Sequence, residues 1–268
     1  MEVEQNVKLE TALTFDTSSV SPSLFEKESR PALLDNSLRL TAMMVARALG
    51  LLVGFLTVWH VIAMYLEDNL PGQSKFRRVV VQYFHFGNEA NFPTFFSALL
   101  LLISSVICFC IYKLDVLGTN KQNARYWLTL SLILLFLSAD EAVQIHEQLM
   151  SVTHYLIPNL SSILSSAWVV PYALIALVVG FYFVRFVFRL PAKTKTLILV
   201  AGFTFLVGAL ALEVMETYLH TEYGVTHILF TLNILVQELL EMTGMVVFIY
   251  ALLDYLGSRH KGLVLSFK

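Results

Sequence analysis

The sequence predicts an all-α, polytopic integral membrane protein with six transmembrane helices in one bundle. Three observations lead to this fold class. The 268 residues are 57% hydrophobic and only 14% charged, whereas soluble domains average about 25% charged residues, and the mean hydropathy is +0.69. Apolar runs of roughly 20 residues, the length that a helix needs to cross hydrocarbon, recur about six times. None of these runs alternates with the period of two that a strand of a membrane barrel would have.

The order of elements follows from composition along the chain. Segment 1–38 is polar and has neither the basic start nor the apolar core of a cleavable signal peptide, so we expect a disordered cytoplasmic tail. A transmembrane domain follows over residues 39–257, and residues 258–268 form a short basic cytoplasmic tail. The six spans are predicted near residues 41–66, 93–113, 127–149, 168–190, 196–219 and 227–256. Asn91 with Pro93 predicts the capped start of the second span.

The distribution of Lys and Arg predicts the orientation. These residues precede the first span, lie after the second and fourth spans, and follow the sixth, while the loops 150–167 and 220–226 contain none. The positive-inside rule therefore predicts cytoplasmic N and C termini in a cytoplasmic-type membrane. The exception is the group Lys75, Arg77 and Arg78, whose surroundings are typical either of an amphipathic helix on the outer surface or of a solvated loop.

Carboxylates inside the spans have the strongest functional implication. An ionised carboxylate at the centre of a membrane helix costs about 2.5–3.5 kcal/mol on insertion scales, so such residues usually face a polar interior and have a function. With a rise of about 1.5 Å per residue, five carboxylates are predicted between the midplane and roughly 8 Å toward the outer side. They are Asp140, Glu141, Glu213, Glu238 and Glu241. A layer farther out contains His60, Glu89, Asn91, Glu147, Glu216, His220 and Asn233.

Helical phase indicates which of these side chains can share one interior. The predicted stripes are Glu213, Glu216 and His220; Asn233, Gln237, Glu241 and Gly244; and Asp140, Gln144 and Glu147, with Glu141 on the flank of the last. His146 falls roughly 120° from the Asp140 stripe on a continuous helix. We therefore expect His146 to contact a neighbouring helix or headgroups rather than to share a site with Asp140. Spans two, three, five and six should surround an outward-opening cavity, with the first and fourth more peripheral.

The first functional hypothesis is a metal site. Divalent Fe, Mn or Zn takes carboxylate and imidazole ligands, and helix bundles build such sites from inward-facing side chains. The candidate ligands, which would suit a dinuclear site, are Asp140, Glu147, Glu213, Glu216, His220, Glu238 and Glu241. The candidates for lining the cavity are Glu141, Gln144, Asn233, Gln237, Glu89 and His60. The spans contain neither the Glu-x-x-His triplet of di-iron bundles nor His-Glu-x-x-His, so clustering alone supports this hypothesis.

Three function classes remain open on the sequence. With a metal, the protein would be a membrane oxidoreductase or hydrolase acting on a lipid or isoprenoid-like substrate that reaches the site laterally. Alternatively, buried Asp, Glu and His residues relay protons or coordinate cations in proton- or cation-coupled transporters, and six spans are few for a carrier unless it forms a homo-oligomer. The third alternative is a structural or assembly protein with protonated, hydrogen-bonded carboxylates. No basic stripe indicates nucleic acid, so the expected partners are membrane lipids and a lipid-like substrate.

Overall fold

The computed structural model describes residues 41–70, 74–118, 121–146, 148 and 169–259. Within these ranges every regular element is a helix, and six helical segments are long and apolar enough to cross a membrane. The predicted fold class, an all-α integral membrane protein with six spans, is confirmed. The predicted tail 1–38, residue Glu147, the loop 150–167 and residues 260–268 lie outside the described residues.

The helices have the following bounds. They are α1 Ala42–Asn69, α2 Lys75–Phe84, α3 Phe92–Leu117, α4 Lys121–Val143, α5 Val169–Arg189, α6 Ala192–Leu206, α7 Glu213–Tyr223 and α8 Ile228–Arg259. A π-helical segment, Val207–Leu212, joins α6 to α7, and the three pieces together form the fifth span. The other five spans are α1, α3, α4, α5 and α8. The short helix α2 connects the first span to the second.

Polar caps define three of the helix starts. The side chain of Asn91 accepts a hydrogen bond from the backbone N–H of Thr94 at 3.0 Å, and Pro93 stands in the first turn of α3. The predicted start of the second span is therefore confirmed. Thr41 caps α1 and Ser74 caps α2 in the same way, because a side-chain oxygen satisfies one of the backbone donors that a helix leaves unpaired at its first turn.

The centre of the bundle is α8. It contacts α1, α3 and the fifth span, while α3 also packs along α4. Among the described residues, the neighbours of α5 are mainly α4 and α6, and it does not pack along α8 as α1 and α3 do, which agrees with the prediction of a peripheral fourth span. The prediction that the first span is peripheral is wrong, because Val53 and Leu56 of α1 belong to the main hydrophobic core.

Two glycines allow the backbones of α8 and the fifth span to approach closely. A Cβ on Gly244 would lie 2.9 Å from the backbone nitrogen of Phe205 and 3.0 Å from the carbonyl oxygen of Ala201. A Cβ on Gly208 would lie 3.0 Å from the carbonyl oxygen of Gln237. Small residues at helix contacts are the usual means of close packing in membranes, where apolar burial alone gives little attraction between helices.

Candidate functional site

Two glutamates of α8 lie within electrostatic range of one glutamate from α4 and one from α7. We call Glu141 of α4, Glu213 of α7, and Glu238 and Glu241 of α8 the acidic cluster. The carboxylates of Glu238 and Glu241 lie close enough to those of Glu141 and Glu213 for their negative charges to repel one another. All four side chains are partly buried. The structure thus brings together side chains that lie more than 90 positions apart in sequence, between Glu141 and Glu238.

Two further glutamates lie at the edge of the acidic cluster. Glu89, in the turn before α3, is exposed and repels Glu141, Glu238 and Glu241 electrostatically. Glu216 of α7 lies within electrostatic range of Glu238. These two residues add negative charge beside the cluster without being enclosed by it.

The polar stripe on α8 faces the fifth span, as its helical phase predicts. The side-chain amide of Asn233 donates a hydrogen bond to the carbonyl oxygen of Leu212 at 3.0 Å. The amide of Gln237 donates to the carboxylate of Glu213 at 3.2 Å. Gly244 continues the same face against α6. The orientation that the sequence predicts for this stripe is confirmed.

The π segment lies directly opposite Glu241. A π-helix bonds each N–H to the carbonyl five residues earlier, so it is rare and often marks a functional site. Gly208, inside the segment, faces α8, where a Cβ would stand 2.7 Å from the Cγ atom of Glu241. The missing side chain leaves room for the Glu241 carboxylate, and the segment ends where Glu213 begins α7.

A small cavity lies beside two members of the acidic cluster. Glu141 and Glu241 line it together with Ser97 of α3 and apolar side chains that include Leu101 and Met242. Its volume is about 10 Å³, close to the minimum for one water molecule. Ser97 is only 7% exposed, and its hydroxyl has no hydrogen-bond partner within the described residues. Because a buried hydroxyl normally finds a partner, this group is available to whatever occupies the cavity.

Asp140 belongs to a separate arrangement at the end of α4. The helix ends at Val143, and Gln144 adopts a left-handed backbone with φ of 59°. The chain then folds back, so that the His146 backbone N–H donates to Asp140 Oδ1 at 2.8 Å, and His146 Nδ1 lies 3.3 Å from the same oxygen. The Tyr172 hydroxyl donates to Asp140 Oδ2 at 2.9 Å. The expectation that His146 would lie away from Asp140 is wrong, because it assumed a continuous helix to residue 149.

The turn before α3 is tied to the end of α4 by one hydrogen bond. The side-chain amide of Gln144 donates to Glu89 Oε2 at 3.1 Å. Within the described residues, the only non-glycine positions with positive φ are Gln144 and Ala90, whose φ is 54°. Left-handed backbone is unfavourable for residues with a Cβ and tends to occur where surrounding contacts impose it. The sequence gives no signal of this strain, since neither position is a glycine.

His60, predicted to line the cavity, is placed among other aromatic rings. It is fully buried and stacks on Phe86 with ring centroids 4.3 Å apart. Its Nδ1 accepts a hydrogen bond from the Phe86 backbone N–H at 3.1 Å. The proton of the neutral ring therefore resides on Nε2, so the neutral imidazole has no free lone pair for a metal.

His85 lies next to His60, with ring centroids 4.9 Å apart. Its Nδ1 accepts a hydrogen bond from the Gly87 backbone N–H at 3.1 Å. Burial lowers the pKa of His85 below its ordinary value of 6.5, and the carboxylate of Glu67, 3.8 Å from Nε2, partly opposes this effect. The His60 and His85 pair thus forms a neutral aromatic corner between α1 and α3.

Among the described residues, the predicted metal ligands are divided between the acidic cluster with its edge and positions outside it. His220 is exposed, and its ring centroid lies 5.9 Å from that of Phe230. Within the described ranges, no group of three or more His, Cys, Asp or Glu side chains is arranged to hold a metal ion. Glu147 lies outside the described residues. The metal role of these residues stays a prediction.

Comparison with known proteins gives one match. A family model described as a domain of unknown function (DUF8692) matches residues 44–256, which include most of the residues in all six spans. No curated protein and no solved structure matches the chain.

Proposed function

The chain belongs to the DUF8692 family, whose description names no activity, and we propose from its own geometry that it is a proton- or cation-coupled membrane transporter. The observation that carries this proposal is the cavity that Glu141, Glu241 and Ser97 line together, with the Ser97 hydroxyl unpartnered among the described residues. Two carboxylates and a hydroxyl are oxygen ligands for a small cation, and the same groups can accept and pass on protons.

The charge balance of the acidic cluster supports this proposal. No Lys or Arg among the described residues forms an ion pair with Glu141, Glu238 or Glu241. Several partly buried carboxylates without a fixed countercharge are unfavourable in a membrane, since each loses hydration and repels the others. Protons or cations that enter the cluster would remove this cost. Exchangeable neutralising ions are what a coupled transporter uses.

An entry path is suggested by the position of Glu89. This exposed carboxylate lies outside the cluster but within electrostatic range of it, and Gln144 holds it by a hydrogen bond. Negative charge at the mouth of a cavity raises the local concentration of cations. We place the mouth on the side away from the cytoplasm, with both termini cytoplasmic, because the positive-inside rule favours that orientation.

The orientation can be measured with introduced cysteines in a background lacking Cys110. A cysteine at Glu222, at the end of α7, should react with an impermeant thiol reagent added to intact cells. One at Lys121, at the start of α4, should react only after lysis. The reverse pattern would mean that the acidic cluster opens to the cytoplasm.

The second candidate function is a metal-dependent enzyme acting on a lipid or isoprenoid-like substrate. The Asp140 and His146 contact favours it, because histidines that ligate metals commonly donate their other ring N–H to a carboxylate. An Fe, Mn or Zn ion would then need further oxygen ligands from the neighbouring acidic cluster.

The decisive experiment reconstitutes the full chain into proteoliposomes and records lumenal pH and cation content. Glu241→Gln and Glu238→Gln keep the side-chain shape but remove the carboxylate. Glu222→Gln is the matched control, because Glu222 is exposed at the end of α7. We expect pH-dependent flux in the wild type and in Glu222→Gln, and at least tenfold slower flux in both cluster variants.

Elemental analysis of the same preparations separates the two candidates. The wild type could contain stoichiometric Fe, Mn or Zn that is lost in a Glu213→Ala, Glu238→Ala double variant. That result, together with no flux in the wild type, would favour the enzyme over the transporter. If neither flux nor metal were detected, a structural or assembly role for the carboxylates would remain.

A further inference from the structure

The amphipathic helix α2 is fixed against the end of the first span. Val80, which is 3% exposed, packs on Ala63 and Leu66 of α1. The guanidinium of Arg77 donates hydrogen bonds to the carbonyl oxygens of Leu66 and Glu67, both at 3.2 Å. These carbonyls belong to the last turn of α1, where the Leu66 carbonyl also accepts the backbone N–H of Leu70. Because α1 is a membrane span, these contacts hold α2 at the level where hydrocarbon meets headgroups.

One face of α2 is apolar and exposed. Phe76 is 60% exposed, Val79 52% and Tyr83 43%. Their spacing of i, i+3 and i+7 places them on one side of the helix. Phe92 of α3, 52% exposed, extends this surface, with its ring centroid 5.8 Å from that of Tyr83. In water such an aromatic surface would be unfavourable, whereas the upper acyl chains of a bilayer would cover it.

The neighbouring face of α2 is cationic. Lys75 and Arg78 are exposed and lie three residues apart, so their side chains project from the same side. Neither forms an ion pair or a side-chain hydrogen bond with a described residue. Arg77, by contrast, is occupied with the end of α1. Two unpaired cations beside an exposed apolar face are the charge pattern that matches an anionic lipid surface.

We propose that α2 is a binding site for anionic phospholipid in the outer part of the bilayer. Phe76, Val79 and Tyr83 lie among the upper acyl chains, and Lys75 with Arg78 holds the headgroup phosphate. A zwitterionic lipid offers the same phosphate, but its own cation offsets the charge, so the site prefers lipids with net negative charge. This inference is independent of the acidic cluster and of the transport proposal.

The test uses the full chain with Phe76→Trp in nanodiscs. Brominated phosphatidylglycerol and brominated phosphatidylcholine, at equal fractions, report which lipid contacts the introduced indole through fluorescence quenching, after subtraction of the quenching of the three native tryptophans measured in the unsubstituted chain. The parent should show stronger quenching by phosphatidylglycerol. Adding Lys75→Gln and Arg78→Gln should lower the relative affinity for phosphatidylglycerol by roughly 30-fold at low salt. This factor corresponds to about 1 kcal/mol for each of the two interfacial cations.

The matched control removes two exposed cations elsewhere, by Arg185→Gln and Arg189→Gln in α5, and should keep the preference. Raising the ionic strength in the parent should abolish it, because salt screens exposed charges; this arm requires no destabilising substitution. Equal quenching by the two lipids in the parent would overturn the proposal. A preference that survives loss of both Lys75 and Arg78, or the addition of salt, would overturn it as well.

Discussion

The carboxylate of Asp140 binds the backbone of His146, six residues further along the chain, with the N–H of His146 2.8 Å from Asp140 Oδ1. The other carboxylate oxygen accepts a hydrogen bond from the hydroxyl of Tyr172, in α5, at 2.9 Å. Asp140 therefore fixes both the chain that leaves α4 and the position of α5. Farther along α5, Phe183 and Phe186 pack on the ring of Tyr126 of α4.

Asp140→Asn should destabilise the protein by about 1–3 kcal/mol, because hydrogen bonds to a charged group contribute more than those to a neutral amide. Tyr172→Phe removes one of these bonds and should cost about 1 kcal/mol. Thermal and denaturant unfolding in a mild detergent would measure both. If the two variants were equally destabilised, the bonds to His146 would contribute nothing.

Gly244→Ala should destabilise the protein by about 1–3 kcal/mol, since overpacking forces a backbone shift. The added Cβ would meet the backbone of Phe205 and Ala201 at 2.9 and 3.0 Å, and backbone cannot rotate aside. Gly202→Ala in α6 is the control, because a Cβ there has no neighbour within 4 Å. This control should be neutral or slightly stabilising, as Ala favours helix over Gly. Similar melting temperatures for the two variants would contradict the close helix contact.

Ser97→Ala should separate function from stability. Its hydroxyl has no partner within the described residues, so its loss should leave the free energy of unfolding unchanged or slightly raised. Flux in proteoliposomes should fall roughly tenfold if the hydroxyl contributes to cation or proton binding in the cavity. Ser104→Ala is the control, because the Ser104 hydroxyl donates to the Leu100 carbonyl within α3. That variant should lose a little stability and keep its flux. Unchanged flux in Ser97→Ala would argue against a role for the cavity.

The corner formed by His60 and His85 should lose stability in acid. The pKa of His85 is lowered by burial from its ordinary value of 6.5, so the unfolded chain takes up a proton at a higher pH than the folded protein does. Stability contributed by neutral His85 is therefore present above about pH 6.5 and is lost as pH falls below it. Melting temperature between pH 8 and pH 5 should fall less in His85→Gln than in the wild type. Parallel pH profiles would show that His85 is not responsible.

The six spans and the α8 stripe are predictable because each depends on a regular property of a continuous helix. Hydropathy reports the length of an apolar segment, and phase places Asn233, Gln237 and Glu241 on one face because α8 is uninterrupted from Ile228 to Arg259. The same reasoning predicts that carboxylates of separate helices come together, and Glu141, Glu238 and Glu241 lie within electrostatic range of one another.

The parts of the site that the sequence does not predict depend on helix ends and turns, which helical phase does not report. Gln144 takes a left-handed backbone without being a glycine, so the end of α4 and the contact of His146 with Asp140 have no sequence signal. His60 was placed by depth with the carboxylates, but its partner is a backbone N–H at Phe86. A pattern of side-chain types does not indicate where the backbone N–H groups of a turn lie.

The π segment also has a genetic consequence. Removing one codon within positions 207–212 would convert it to an ordinary α-helical turn, and the fifth span would remain an unbroken apolar helix. Because a π turn holds one residue more than an α turn, the residues after this deletion would keep their direction, and Glu213 would still face Gln237 of α8. Removing one codon within α6 would instead rotate everything after it by about 100° and turn Glu213 away from Gln237. A gene that loses one codon at positions 207–212 would therefore keep the arrangement of the glutamates, whereas the same loss within α6 would keep the six spans but not that arrangement.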